Sequence, residues 1–136
     1  MKTLLVAYAA AAVTMLGMDA VWLGVSADLL YRPLLGDMIL PGFRPVPAIL
    51  FYVLYVVGIV IFAIKPALLT GHWSAAAGKG ALLGFFCYAT YDLTNQATLK
   101  TWPIIVTIVD MGWGTVLTAC AATVGYLAAS RLGRLG

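Results

Sequence analysis

The chain reads as an all-α, polytopic membrane protein, a four-transmembrane-helix bundle. Three observations lead there. Of its 136 residues, 63% are hydrophobic and only 10% charged, against about 25% charged in an ordinary soluble domain. Four apolar runs reach the roughly 20 residues that cross a bilayer core as a helix. None of them alternates apolar and polar residues as a membrane β-strand does, and in lipid only helices and closed barrels satisfy their own backbone. The length suits a single transmembrane domain, 1–136.

The first helix is expected over 3–27. Lys2 followed by apolar residues imitates a signal peptide, but the run continues through Asp19, Trp22 and Gly24 to Ala27. That is too long for a signal core, so the segment is read as a retained helix. Residues 28–45 hold Pro33, Gly36, Pro41, Gly42 and Pro45, a turn-rich composition. Leu34, Leu35, Met38, Ile39 and Leu40 lie in the same stretch, which suits a short surface helix or a lid over the bundle.

The second helix is expected over 46–64. Lys65-Pro66 should end it, because proline cannot continue the hydrogen-bond ladder. Gly71-His72-Trp73 completes the turn into a third helix over 74–99. Lys100-Thr101 is so short a link that the third helix and a fourth, over 102–129, must be antiparallel neighbours. Pro103 is tolerated in the first turn of that helix.

The net charge of +3 is small, and the basic residues sit at segment ends. They mark topology and give no nucleic-acid footprint, so no nucleic-acid partner is expected. Lys2, Lys65, Lys79, Arg131 and Arg134 fall on the side of the termini; Arg32, Arg44 and Lys100 fall on the other. This excess predicts a multi-pass protein of the cell membrane with its termini in the cytoplasm. Tyr31, Phe43 and Trp102 are expected in the outer aromatic belt. Cys87 and Cys120 lie in apolar runs and read as small packing residues with no disulfide framework. The single histidine, His72, reads as an interfacial surface residue. No serine-hydrolase elbow, zinc-protease motif, phosphate loop or dinucleotide fingerprint is present.

The chemistry concentrates in 88–98. At helical spacing Tyr88, Tyr91, Asp92 and Asn95 share one face of the third helix. Asp19 and Asp110 lie in two other apolar runs, each with a tryptophan three residues on, Trp22 and Trp113. Measured from the expected helix ends, the three acids lie at one depth, roughly 10–12 Å inside. They are therefore expected to converge in the outer half of the bundle. Small residues support close helix approach: Gly80 and Gly84 on the third helix, Gly114, Thr118 and Ala122 on the fourth, and Gly17, Ala20 and Gly24 on the first.

No Lys or Arg shares that depth. The acids must then be protonated and hydrogen-bonded to Tyr88, Tyr91 and Asn95, or they must hold a cation. Trp22, Trp113, Tyr88 and Tyr91 would suit an organic amine through their ring faces. If a metal binds at all, Asp19, Asp92 and Asp110 are its candidate ligands, and oxygen ligands with water suit Mg²⁺ or Mn²⁺. No cofactor is indicated.

Five segments together, Asp19-x-x-Trp22-Leu-Gly, Phe51-Tyr52 with Tyr55 and Gly58, Tyr88-Ala-Thr-Tyr91-Asp92-Leu-Thr-Asn95-Gln-Ala-Thr-Leu, Trp102-Pro103, and Asp110-x-x-Trp113-Gly, resemble the DUF2177 family of small bacterial predicted membrane proteins. The resemblance covers nearly the whole chain. It implies a compact polytopic protein of the bacterial inner membrane, of unknown function, and carries over no catalytic role.

Function therefore rests on the residues, and three readings stand. The first is a protein binding or transporting a cation or small amphipathic molecule. Transport by so few helices calls for a homodimer. The second is a membrane-embedded enzyme acting on a lipid or isoprenoid substrate, with Asp92 as general acid or base. The third is a structural or assembly subunit whose polar groups are folding glue. Membrane lipid is a partner in all three.

Overall fold

The computed structural model describes residues 1–132; Arg134, counted above among the topology charges, lies outside them. Four long helical segments make up the described chain: Lys2–Met38, Pro45–Thr70, Trp73–Thr98 and Ile104–Leu132. Three of them are long and apolar enough to cross a membrane. Trp73–Thr98 has the length, at 26 residues, but Lys79, Asp92, Asn95 and its tyrosines lower its hydropathy. It is held in the bundle by packing along the fourth helix.

Two expected boundaries are wrong, for one physical reason. The first helix does not stop near Ala27. It passes through a wide π-helical turn, Ala27–Tyr31, then Arg32–Leu35 and a tight Gly36–Met38 turn. Residues 28–38 are thus a helical extension, and only 39–44 remain as a link. The second helix does not stop at Lys65-Pro66 either. It passes through a second π-turn, Val60–Ile64, and continues over Lys65–Thr70.

In both places the wide turn ends directly before a basic residue and a proline, Arg32-Pro33 and Lys65-Pro66. A proline ring collides with the carbonyl four residues back. A π-turn shifts that hydrogen bonding to i→i+5 and lets the helix continue. The real stop of the second helix is Gly71, in the left-handed conformation at φ 76° with its N–H on the Ala67 carbonyl at 2.9 Å. That conformation favours glycine.

The core mixes alanines with a few large apolar residues. Ala7, Ala11, Met15, Ile59, Ile64, Leu117, Ala121 and Ala122 are fully buried. The fourth helix lies between the first and the third. Gly84 is where the third and fourth helices come closest: a Cβ there would run into the Gly114 carbonyl and the Thr118 side chain. Gly80 faces Ala122 and Thr118 in the same way, so this glycine pair packs within the bundle. The expected stripe on the first helix does not pack: Gly17, Ala20 and Gly24 are exposed, and nothing lies within 4 Å of a Cβ at either glycine.

The second helix positions the site. From Val56 to Ala67 it buries Val56, Ile59, Val60, Ala63, Ile64 and Ala67, and its π-turn touches the first, third and fourth helices. From Pro45 to Tyr55 it buries no residue completely. It packs at the end near the termini and leaves a space at the other end.

Candidate functional site

That space is a cavity of about 660 Å³ in the half of the bundle away from the termini. Asp19 and Asp110 lie in its wall with Tyr52, Tyr88, Tyr91 and Trp113, and the 39–43 stretch of the link also lines it. Arg32 stands at its edge, ion-paired to Asp28 at 3.2 Å. A second cavity, of about 460 Å³, is lined by Phe51, Tyr55, Cys87, Tyr88, Tyr91 and Asp110. Asp110 is the one acid that borders both.

The two Asp-x-x-Trp segments interlock. Trp22 and Trp113 stack with ring centroids 4.5 Å apart and planes 8° from parallel. Trp113 Nε1 donates to Asp19 Oδ1 at 3.0 Å. Trp22 Nε1 donates to the Tyr31 hydroxyl at 3.2 Å, and Tyr31 donates to Asp110 Oδ1 at 2.6 Å. Each tryptophan thus serves the acid of the other segment, once directly and once through a tyrosine.

Local structure explains Tyr31. Nine residues beyond Trp22, it would lie on the opposite face of a regular helix at 100° per residue. The π-turn Ala27–Tyr31 advances less per residue and brings the ring back towards the cavity. The expectation of Tyr31 as an outer belt residue is therefore corrected: its hydroxyl is inside, on Asp110. Phe43 and Trp102 also line the cavity.

The three acids do not share one centre. Asp19, 7% exposed, is satisfied on both oxygens, with Tyr52 donating to Oδ2 at 2.6 Å opposite the Trp113 bond. Trp113, its partner, is three residues past Asp110, or about 4.5 Å of helix rise. Asp19 thus lies about one turn from the level of Asp110. Depth measured from a helix end at Ala27 misplaces Asp19, because the helix runs on to Met38.

Asp92 is fully buried and lines neither cavity. Neither of its carboxyl oxygens has a hydrogen-bond donor. Its carboxyl group is within hydrogen-bonding reach of Asp110. That contact is acceptor against acceptor unless one of the two carries a proton. The grouping of Asp19, Asp92 and Asp110 as one metal-ligand set is also corrected. Among the described residues no three His, Cys, Asp or Glu side chains are grouped to hold a metal ion, and both oxygens of Asp19 are taken by tyrosine and tryptophan donors.

The remaining site residues divide. Tyr88 lies over Gly114, where any Cβ would strike its ring. Tyr91 is 57% exposed and meets Trp102 edge-on at 5.9 Å. Asn95 is half-buried and bonds none of the three acids. Cys87 is exposed at the second cavity and is no packing residue. Tyr52 and Tyr55 stand out in the sequence only as part of the family resemblance and lie outside the expected site; the Tyr55 hydroxyl bonds Thr118 Oγ1 at 2.7 Å. Two tyrosines three apart in an otherwise apolar helix were the available signal.

A helical bundle with apolar spans and an aromatic cavity between its helices defines a polytopic membrane protein. The chain belongs to the DUF2177 family of predicted membrane proteins, whose family model matches residues 4–127. No curated protein and no solved structure matches it significantly.

Proposed function

We propose that this protein binds an amphipathic organic cation, with its charged head at Asp110 and its apolar body against the aromatic walls, and carries it through the membrane. The observation that carries this reading is that Asp110 borders two adjoining cavities while no Lys or Arg of the described chain pairs with it. A carboxylate among ring faces, at a cavity wall with few other polar groups, favours an ammonium over a hydrated metal ion. The lining is mostly apolar, as in small-molecule sites generally. Asp19 is already saturated by two donors, so it shapes the wall and leaves Asp110 to meet the ligand.

The termini are assigned to the cytoplasm by the basic residues on their side, so the cavity opens towards the outer face. It occupies one half of the bundle, and a complete path calls for a second copy of the chain. A membrane enzyme has less support, because the set of acids divides.

The test is purified protein titrated with tetraphenylphosphonium. The stacked Trp22 and Trp113 should report it as fluorescence quenching, and reconstituted vesicles should accumulate the ion. Asp110→Asn should weaken binding at least tenfold. Equal affinity in wild type and this variant, or no binding by wild type to this or any alkylammonium, overturns the reading.

A further inference from the structure

Among the described residues, Asp92 alone has buried side-chain oxygens without a hydrogen-bond partner. Buried polar groups are otherwise almost always bonded. An unpaired carboxylate sealed from solvent costs several kcal/mol even after relaxation. One change of charge removes that cost. A proton on Asp92 turns its contact with Asp110 into an O–H···O bond.

The surroundings offer no substitute. From the first helix, Tyr31 already donates to Asp110, Asp19 is a second acid, and Arg32 is engaged by Asp28 at the edge. From the second helix, Tyr52 donates to Asp19 and Tyr55 pairs with Thr118. From the third, Tyr88 and Tyr91 stand in the wall of both cavities, with Cys87 bordering the second. None of these is a cation facing the pair.

We propose that the Asp92–Asp110 pair is a proton-binding site and that the cation entering the cavity at Asp110 exchanges for that proton. The exchange half rests on the proposed function; the proton half stands on the burial of Asp92 and its lack of any donor. The balance is simple. The Asp92 O–H bond breaks, the proton leaves through the cavity bordered by Asp110, and the organic cation takes its place. One positive charge replaces another, so the buried pair never holds two uncompensated charges. Coupled to flux, this is cation–proton exchange.

Two measurements test it. Infrared spectra of the purified protein at neutral pH should contain a protonated-carboxyl C=O band that shifts in D₂O. The band should be lost in Asp92→Asn and also in Asp92→Ala, so that poor folding of one variant does not end the test. Wild-type and variant spectra without that difference overturn the proton site. In weakly buffered solution, tetraphenylphosphonium should release about one proton per ion bound, with affinity falling about tenfold for each unit that pH drops. Asp92→Asn should release none, and its affinity should no longer vary with pH. Binding without proton release overturns the exchange and leaves the proposed function standing. Absence of binding overturns the function and the exchange with it, while the infrared band still decides the proton site.

Discussion

Asp19 and the Asp92–Asp110 pair lie in neighbouring turns of one bundle and are handled in opposite ways. Asp19 receives two donors, Tyr52 and Trp113, one on each oxygen. Asp110 receives one, Tyr31, and Asp92 receives none. A saturated acid between helices ties the first, second and fourth together and has no capacity left for a ligand. An under-satisfied pair, of which Asp110 borders two cavities, is poor glue, and the proposed function makes it the receptor for positive charge. Acids in a membrane span are expensive in either role; the donors around them decide which role each serves.

The comparison can be broken at its shared support. Gly84→Leu forces a side chain onto the Gly114 carbonyl and Thr118, separating the helices that carry Asp92 and Asp110. The loss should exceed about 3 kcal/mol, the upper end of ordinary overpacking. Size-exclusion chromatography should find little monodisperse protein.

Removing Asp19 should cost stability without removing the ligand site. Asp19→Ala leaves the Tyr52 hydroxyl and the Trp113 N–H unpaired, at about 2–3 kcal/mol, read as a lower midpoint in detergent unfolding. Tetraphenylphosphonium binding to the remaining folded protein should persist. Asp110→Asn should do the reverse. Tyr31 can still donate to the amide oxygen, so the unfolding midpoint should move little while affinity falls at least tenfold, about 1.4 kcal/mol. If both variants lose stability alike and neither changes affinity, the two regions are the same kind of glue.

The tyrosines sharpen the contrast at smaller scale. Tyr52→Phe and Tyr31→Phe each remove one interhelical hydrogen bond, on average about 0.6 kcal/mol in a membrane bundle. Only Tyr31→Phe should also alter cation affinity, which fluorescence titration can resolve. Asp28→Asn should have the least effect. It breaks an exposed i,i+4 ion pair with Arg32, worth at most about 0.5 kcal/mol, and thermal unfolding should barely register it.

Much of this was legible in the residues. Hydrophobic content and run length fixed the helices, since lipid admits few alternatives. The third and fourth helices had to be neighbours because Lys100-Thr101 leaves no room for another arrangement. Asp19, Trp22, Asp92, Asp110 and Trp113 stood out because polar and amphipathic groups are rare in apolar runs. The continuation of two helices through Arg32-Pro33 and Lys65-Pro66 was not legible. A proline reads as a stop locally, and whether a π-turn absorbs it depends on what the helix beyond it gains by packing. Tyr31 was misread for the same reason, since the turn that brings it inside lies in the misjudged stretch.

The sequence by itself determined which groups must be buried, because composition sets the membrane class and spacing sets the faces. Tertiary structure alone decided how those groups are shared. Hydrogen bonds between residues 79 positions apart, as from Tyr31 to Asp110, or 94 apart, as from Trp113 to Asp19, depend on helix tilt and rotation within the bundle. Those are fixed by close contacts such as Gly84 on Gly114, whose partners no local pattern names. That packing separated Asp19 from the other two acids and left Asp92 facing Asp110.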